Sequence, residues 1–197
     1  MLLPRGFEWL EAAAFIDVFG WNMLLGDKQT MLTLAGSEPI VAASFGGGIS
    51  PDLLLADIDP NRFCALALPG GFSRHGYFRS AQNPQIHELI RIFARLDKPI
   101  AAVCTGALVL ARAGILQGKK ATTYPIAEGY YQRELEQLGA CYLNQPLVRD
   151  GHILTAQNPA AAMPAALSLL ALLTNLANAE AIAAAIGFHS AGKSVIK

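Results

Sequence analysis

"KPIAAVCTGALVLARAGIL", residues 98–116, changes character in its middle. Pro99 to Val103 is short and apolar, the pattern of a buried parallel strand. Gly106 to Leu116 is rich in Ala and Leu and carries Gly114 near its end, the pattern of a helix. Cys104 lies on the turn between them. A thiol at that point faces the N–H groups of the first helical turn, and the helix dipole favours its charged form. The stretch therefore predicts a nucleophile that ionises well below the reference value of about 8.5.

Working outward, Phe63–Leu68 ("FCALAL") reads as another buried strand, ending at Pro69-Gly70-Gly71. Gly70-Gly71 marks a backbone that must approach something closely. Pro84–Leu96 reads as an amphipathic helix with Ile86, Leu89, Ile90 and Phe93 on one side. Towards the N-terminus, Met1–Pro4 reads as the end of a strand. Glu8–Leu25 is a helix with Leu10, Ala14, Ile16, Val18 and Met23 among its apolar positions. Met31–Ala35 and Val41–Phe45 are short strands before the flexible Gly46-Gly47-Gly48. Towards the C-terminus follow a strand at Ala121–Thr123 and a helix at Ile126–Leu138. Leu147–Arg149 and His152–Ala156 flank Asp150-Gly151, a hairpin signal. Asn158–Ala179 reads as one Ala/Leu helix, and a final helix lies near Glu180–Ile186. Strands alternating with helices predict an α/β fold with a mostly parallel sheet covered on both faces. No repeat or linker breaks residues 1–197, which read as one domain.

Composition narrows the function. Hydrophobic residues make up 53% of the 197 and charged residues 15%, which fits a well-buried globular chain. Fifteen basic and fifteen acidic residues cancel, leaving no electrostatic footprint for nucleic acid. The uncharged run at Asn158–Ala179 is dominated by Ala and interrupted by Pro164, Asn175 and Asn178, so a helix packed on the sheet is expected and not a membrane span. Three widely separated cysteines and no signal-peptide pattern fit a reducing, cytoplasmic setting. No GxxxxGK[ST] occurs, no GxGxxG follows a strand, and no pair of histidines or cysteines has metal-ligand spacing. No metal site is expected.

In open α/β sheets ligands bind at the carboxyl ends of strands. Cys104 lies on that rim, and so do Glu8 and Glu11 at the start of the first helix. A carboxyl buried beside a thiol would have a raised pKa and could donate a hydrogen bond to the thiolate. Of the four histidines, His87 and His152 read as surface residues and His189 lies near the C-terminus. Only His75, in "PGGFSRHGY", falls on the rim, where it could serve as a general base. Cys64 and Cys141 read as core residues of apolar strands.

Four motifs, "LLPRGFEWLEAAAFIDVFGW", "ALALPGGF", "PIAAVCTGALVLARAGILQGKKATTYP" and "LVRDGHILTAQNPAAA", resemble the ThiJ/PfpI superfamily. The resemblance covers residues 2 to about 176 and implies a flavodoxin-like three-layer sandwich, usually homodimeric and without an organic cofactor. It makes Cys104 the nucleophile and Glu11 the helix-one acid that hydrogen-bonds it. It makes the N–H groups of Gly71 and Thr105 the oxyanion hole. Where the deglycase and glyoxalase branch has a histidine, this chain has Tyr124, and Thr105 replaces the histidine that follows the cysteine in the protease branch. Proton transfer then falls to Glu11 or His75, or the protein does not turn over. The implied activity is attack of Cys104 on a small carbonyl-type substrate. The alternative is a non-catalytic redox or stress sensor in which Cys104 is oxidised.

Overall fold

The computed structural model describes residues 1–125 and 129–188. In chain order its first elements are β1 (Leu2–Leu3), α1 (Trp9–Leu25), β2 (Ala35–Gly36), β3 (Val41–Ala42), β4 (Gly48–Ile49), β5 (Leu53–Leu54) and β6 (Leu66–Leu68). Then come α2 (Tyr77–Ala81), α3 (Pro84–Arg95), β7 (Ile100–Val103), α4 (Gly106–Arg112), β8 (Lys120–Ala121), α5 (Tyr130–Gln137) and β9 (Cys141–Tyr142). The last are β10 (Leu147–Asp150), β11 (Ile153–Ala156), α6 (Ala162–Leu173) and α7 (Leu176–Ile186).

β6, β7 and β11 are parallel neighbours, and β10 pairs antiparallel with β11 through the Asp150-Gly151 hairpin. β1, β2 and β5 form a second parallel ladder. β1 lies against β6, and Phe7 just beyond β1 bridges to Gly71 just beyond β6, so the two ladders stand side by side.

Side-chain alternation divides the core into two layers. Ala67 of β6, Ala101 and Val103 of β7, and Leu154 and Ala156 of β11 face one layer, with α1, α6 and α7. Leu66, Leu68, Ile100, Ala102 and Ile153 face the other, with α3 and α4. Such strands must be apolar on both faces, which is why they appear in the sequence as unbroken runs. The architecture is the expected α/β sandwich.

Several local readings change. The Asn158–Ala179 run is two helices, not one. Thr174 leaves helical geometry, and Asn175 starts α7 by accepting the Asn178 N–H at 2.9 Å. The final helix therefore begins at Leu176, earlier than Glu180. Helix α5 begins at Tyr130; the first three residues of the Ile126–Leu138 reading lie outside the described residues, as does His189. Cys64 and Cys141 are exposed, not core. Cys64 precedes the strand, whose pairing starts at Leu66, and Cys141 belongs to a two-residue strand paired only with β8. Leu10 and Met23 face solvent from α1. His87 is half-buried, with its Nε2 shut in without a partner. Among the described residues no helix is long and apolar enough to cross a membrane.

Candidate active site

Strand β7 ends at Val103, and Cys104 makes the turn. Its N–H donates to Ala156 O of β11 at 2.8 Å, and its carbonyl accepts from the Thr123 hydroxyl at 2.9 Å. Between these anchors its φ is +55°, the left-handed region that a side chain rarely enters. A residue other than glycine held there is strained, and such strain collects at functional positions. Helix α4 starts two residues later, and Cys104 is 5% exposed.

The glycines around it are steric requirements. A Cβ on Gly71 would stand 2.1 Å from Gly6 O and 2.5 Å from the Tyr77 ring, and one on Gly70 would stand 2.7 Å from Thr105 Oγ1. The close approach expected of Gly70-Gly71 is thus to the chain's own backbone and to the residue after the cysteine.

Glu11 reaches the same point from α1. That helix is capped by Glu8, whose side chain accepts the Glu11 N–H at 2.9 Å. The Glu8 N–H donates to Gly70 O at 2.9 Å and pins the helix start to the Gly70 loop. The Glu11 carboxyl is fully buried. Its Oε2 accepts the Gly70 N–H at 2.6 Å, and its Oε1 is shut in without a hydrogen-bond partner. The Cys104 thiol lies close enough to act on the carboxyl. Burial pushes the Glu11 pKa up to about 8, and the Gly70 bond pulls only partly against it. At neutral pH Glu11 carries its proton, as expected of a carboxyl buried beside a thiol.

The thiol corrects the reading that began at the strand–helix turn. Burial pushes Cys104 up, a charged Glu11 would push it further, and the Thr105 N–H and hydroxyl pull it down. Desolvation outweighs the helix start, so the net direction is upward, not the fall expected from position alone. The Glu11 repulsion needs a carboxylate. While Glu11 holds its proton, its O–H can instead donate to a thiolate, and the two groups titrate as one unit.

Thr105 does more than follow the cysteine. Its Oγ1 accepts the Gly71 N–H at 2.9 Å and lies 2.9 Å from Gly71 O. The Gly71 N–H expected in an oxyanion hole is therefore occupied, while the Thr105 N–H is directed at the sulfur. His75 packs beside Phe45 and Phe72, with ring centroids 5.6 and 6.3 Å away, and its Nε2 accepts from Arg74 Nε at 3.2 Å. Among the described residues, the groups acting on the thiol are Glu11 and Thr105, and His75 is not one of them. Tyr124 is half-buried, and its phenol feels the charge of both Cys104 and Glu11. Tyr131, overlooked in the sequence as an ordinary helix residue, lies within the same reach, and its phenol is hydrogen-bonded by Ser73. The described residues contain no cluster suited to a metal ion.

A strained cysteine at a strand–helix turn, backed by a buried protonated carboxyl on a doubly covered parallel sheet, defines a cysteine-elbow α/β protein. The chain belongs to the DJ-1/PfpI family, whose sequence profile matches residues 1–172. It is 32% identical over 185 residues to an isonitrile hydratase of Pseudomonas putida, covering 92% of this chain and 77% of the relative. It is 27% identical over 173 residues to the glutathione-independent glyoxalase DJR-1.2 of Caenorhabditis elegans, covering 88% and 86%. The crystal structure of Drosophila melanogaster DJ-1beta superposes with a TM-score of 0.83 at 26% identity, over 96% of each chain.

Proposed function

We propose that the protein is a cysteine-dependent enzyme acting on a small electrophilic carbon, of carbonyl type as in a glyoxalase. The observation that carries this is the Glu11–Cys104 pair: a buried carboxyl protonated at pH 7, with one oxygen fixed by Gly70, within reach of the thiol. Cys104 adds its sulfur to the carbonyl carbon, and the π pair of the C=O moves to oxygen. The proton shared by thiol and carboxyl ends on that oxygen, giving a hemithioacetal with atoms and charge balanced. Glu11 is then the acid and base of the later proton transfers. The Thr105 N–H serves the developing oxyanion, joined by the Gly71 N–H once the Thr105 hydroxyl turns away. Tyr124 lines the position where the glyoxalase branch has histidine, and His75 stays on the rim. Metal and organic cofactor have no part in these steps.

The substrate is a small molecule, and we assign the protein to a homodimer. Helix α1 exposes Leu10, Leu24 and Leu25, and Ile40 and Phe45 lie exposed next to β3 and at the turn of the β3–β4 hairpin. Exposed apolar side chains of this kind suit a second copy of the chain.

The test is turnover of methylglyoxal by the wild type and by Cys104→Ala. Turnover that falls by about a thousandfold or more in the variant is expected, the scale set by loss of a covalent nucleophile. Turnover that survives in Cys104→Ala would falsify the proposal. A wild type that turns over neither methylglyoxal nor an isonitrile, while Cys104 gains two oxygen atoms under mild peroxide, overturns it in favour of the redox-sensor reading.

A further inference from the structure

We propose that the carboxyl-end rim carries a second site, apart from Cys104, that binds a short phosphorylated molecule. A recess of about 290 Å³ opens where the loops after β1 and β2 meet α2 and the residue that caps α3. Among the described residues none of the side chains lining it is apolar, so its occupant is hydrophilic. Its donors outnumber its acceptors. Arg79 is exposed and has no hydrogen-bond or ion-pair partner among the described residues. Arg5 commits its Nη1 to Glu38 Oε2 at 3.0 Å and keeps its other guanidinium N–H groups. Asn83 accepts the Gln85 N–H through its Oδ1 at 2.9 Å, which leaves its NH₂ as a donor. Ser37 and Ser80 add hydroxyls. Glu38 is the one carboxylate, and it is already held by Arg5, so the lining keeps a positive charge. Forked N–H donors converging from several segments match the three terminal oxygens of a phosphate better than the two of a carboxylate.

The backbone that carries these groups is already fixed. Ser80 Oγ accepts the Arg5 N–H at 3.0 Å and so ties the residue after Arg79 to the end of β1. Next to Arg5, the Gly6 N–H donates to Ala42 O at 2.7 Å. A Cβ on Gly6 would stand 2.6 Å from His75 O, so this segment lies flush against the turn that leads into α2. Little backbone ordering is left to oppose binding. Size narrows the ligand. At about 30 Å³ per water in the liquid, the recess takes roughly ten non-hydrogen atoms, those of a three-carbon phosphate monoester and more than a bare phosphate needs. Position separates the recess from the cysteine. β6 stands between β1 and β7, so at about 4.8 Å per strand the ends of β1 and β2 lie roughly 10–14 Å from Cys104 across the sheet. A ligand that fills the recess stops short of the sulfur.

The test is equilibrium dialysis of the intact protein against glycerol 3-phosphate, which has this size and no electrophilic carbon for Cys104. Binding of one molecule per chain is expected, with a Kd of about 1 mM or tighter. It should weaken as salt rises, because the donors are partly exposed. Inorganic phosphate, and glycerate as the carboxylate of equal length, should bind at least about threefold more weakly, and glycerol not at all. Arg79→Gln should weaken binding about tenfold and Arg5→Gln severalfold, while Arg79→Lys keeps the charge but loses the fork and should fall between. Arg79 has no partner to lose, so its variants keep the fold. Arg91→Gln with Arg95→Gln, which removes two cations elsewhere on α3, should leave the affinity unchanged, and so should Cys104→Ala. Absence of binding, glycerate or phosphate bound as tightly as the ester, or binding untouched by Arg79→Gln and Arg5→Gln overturns the proposal. The outcome is independent of turnover at Cys104, since Cys104→Ala binds the probe as the wild type does.

Discussion

Glu11 ties the chemistry of the site to the stability of the fold. Its carboxyl titrates near 8 in the folded chain, against 4.5 for an ordinary glutamate. Between those values the folded chain keeps a proton that the unfolded chain releases. The stabilisation is complete below pH about 4.5 and is lost as pH rises towards 8, by roughly 3–5 kcal/mol at about 1.4 kcal/mol per pKa unit. Urea unfolding of the wild type should show that decline, and Glu11→Gln should flatten it; parallel profiles would show that Glu11 is already charged. Thr105 carries a second expectation. Thr105→Val leaves the Gly71 N–H buried without its acceptor and should cost about 1–3 kcal/mol in the same measurement. Thr105→Ser restores the hydroxyl and should recover most of that loss, which a merely volumetric effect would not allow.

Helices α6 and α7 owe their separation to Asn175. Replacing it by Ala removes the acceptor for the Asn178 N–H and should cost about 0.5–2 kcal/mol, measured by thermal or urea unfolding. An unchanged midpoint would mean the break is imposed by packing alone. The same residue shows where sequence reading stops. Asn175 is visible as an interruption of an Ala/Leu run, yet whether it caps a new helix or merely faces outward depends on the turn at Thr174. The β7–turn–α4 unit was legible because its apolar strand, cysteine and helix are contiguous, and Glu11 because its helix opens on the same rim. Tyr131 was not, because a tyrosine in the first turn of a polar helix has no local mark of lying within electrostatic reach of Cys104. Cys64 misled because "FCALAL" is uniformly apolar, and only pairing decides that the strand starts at Leu66. The direction of the thiol pKa also escaped, since position gives the helix start but not the depth of burial.

For the molecule as a whole, the exposed apolar side chains of α1 set the next expectation. The mean hydropathy of +0.35 is high for a chain that must cover itself. Sedimentation at micromolar concentration should give a mass near twice 20.9 kDa, and Leu24→Glu with Leu25→Glu should halve it. A wild-type mass near 20.9 kDa would refute the homodimer. Helix α1 also depends on the other end of the chain. The buried Asn22 accepts a hydrogen bond from Asn178 at 2.8 Å, across 156 residues of sequence, and α6 and α7 cover the same helix. On a ribosome adding about 5–20 residues per second, that partner emerges roughly 8–30 s after Asn22. Throughout that interval Ala12, Phe15, Val18 and Phe19 have no helix to lie against. The nascent chain thus presents the greasy face of α1 to chaperones until α6 and α7 have emerged, and a chain cut short before α6 has no means of hiding it.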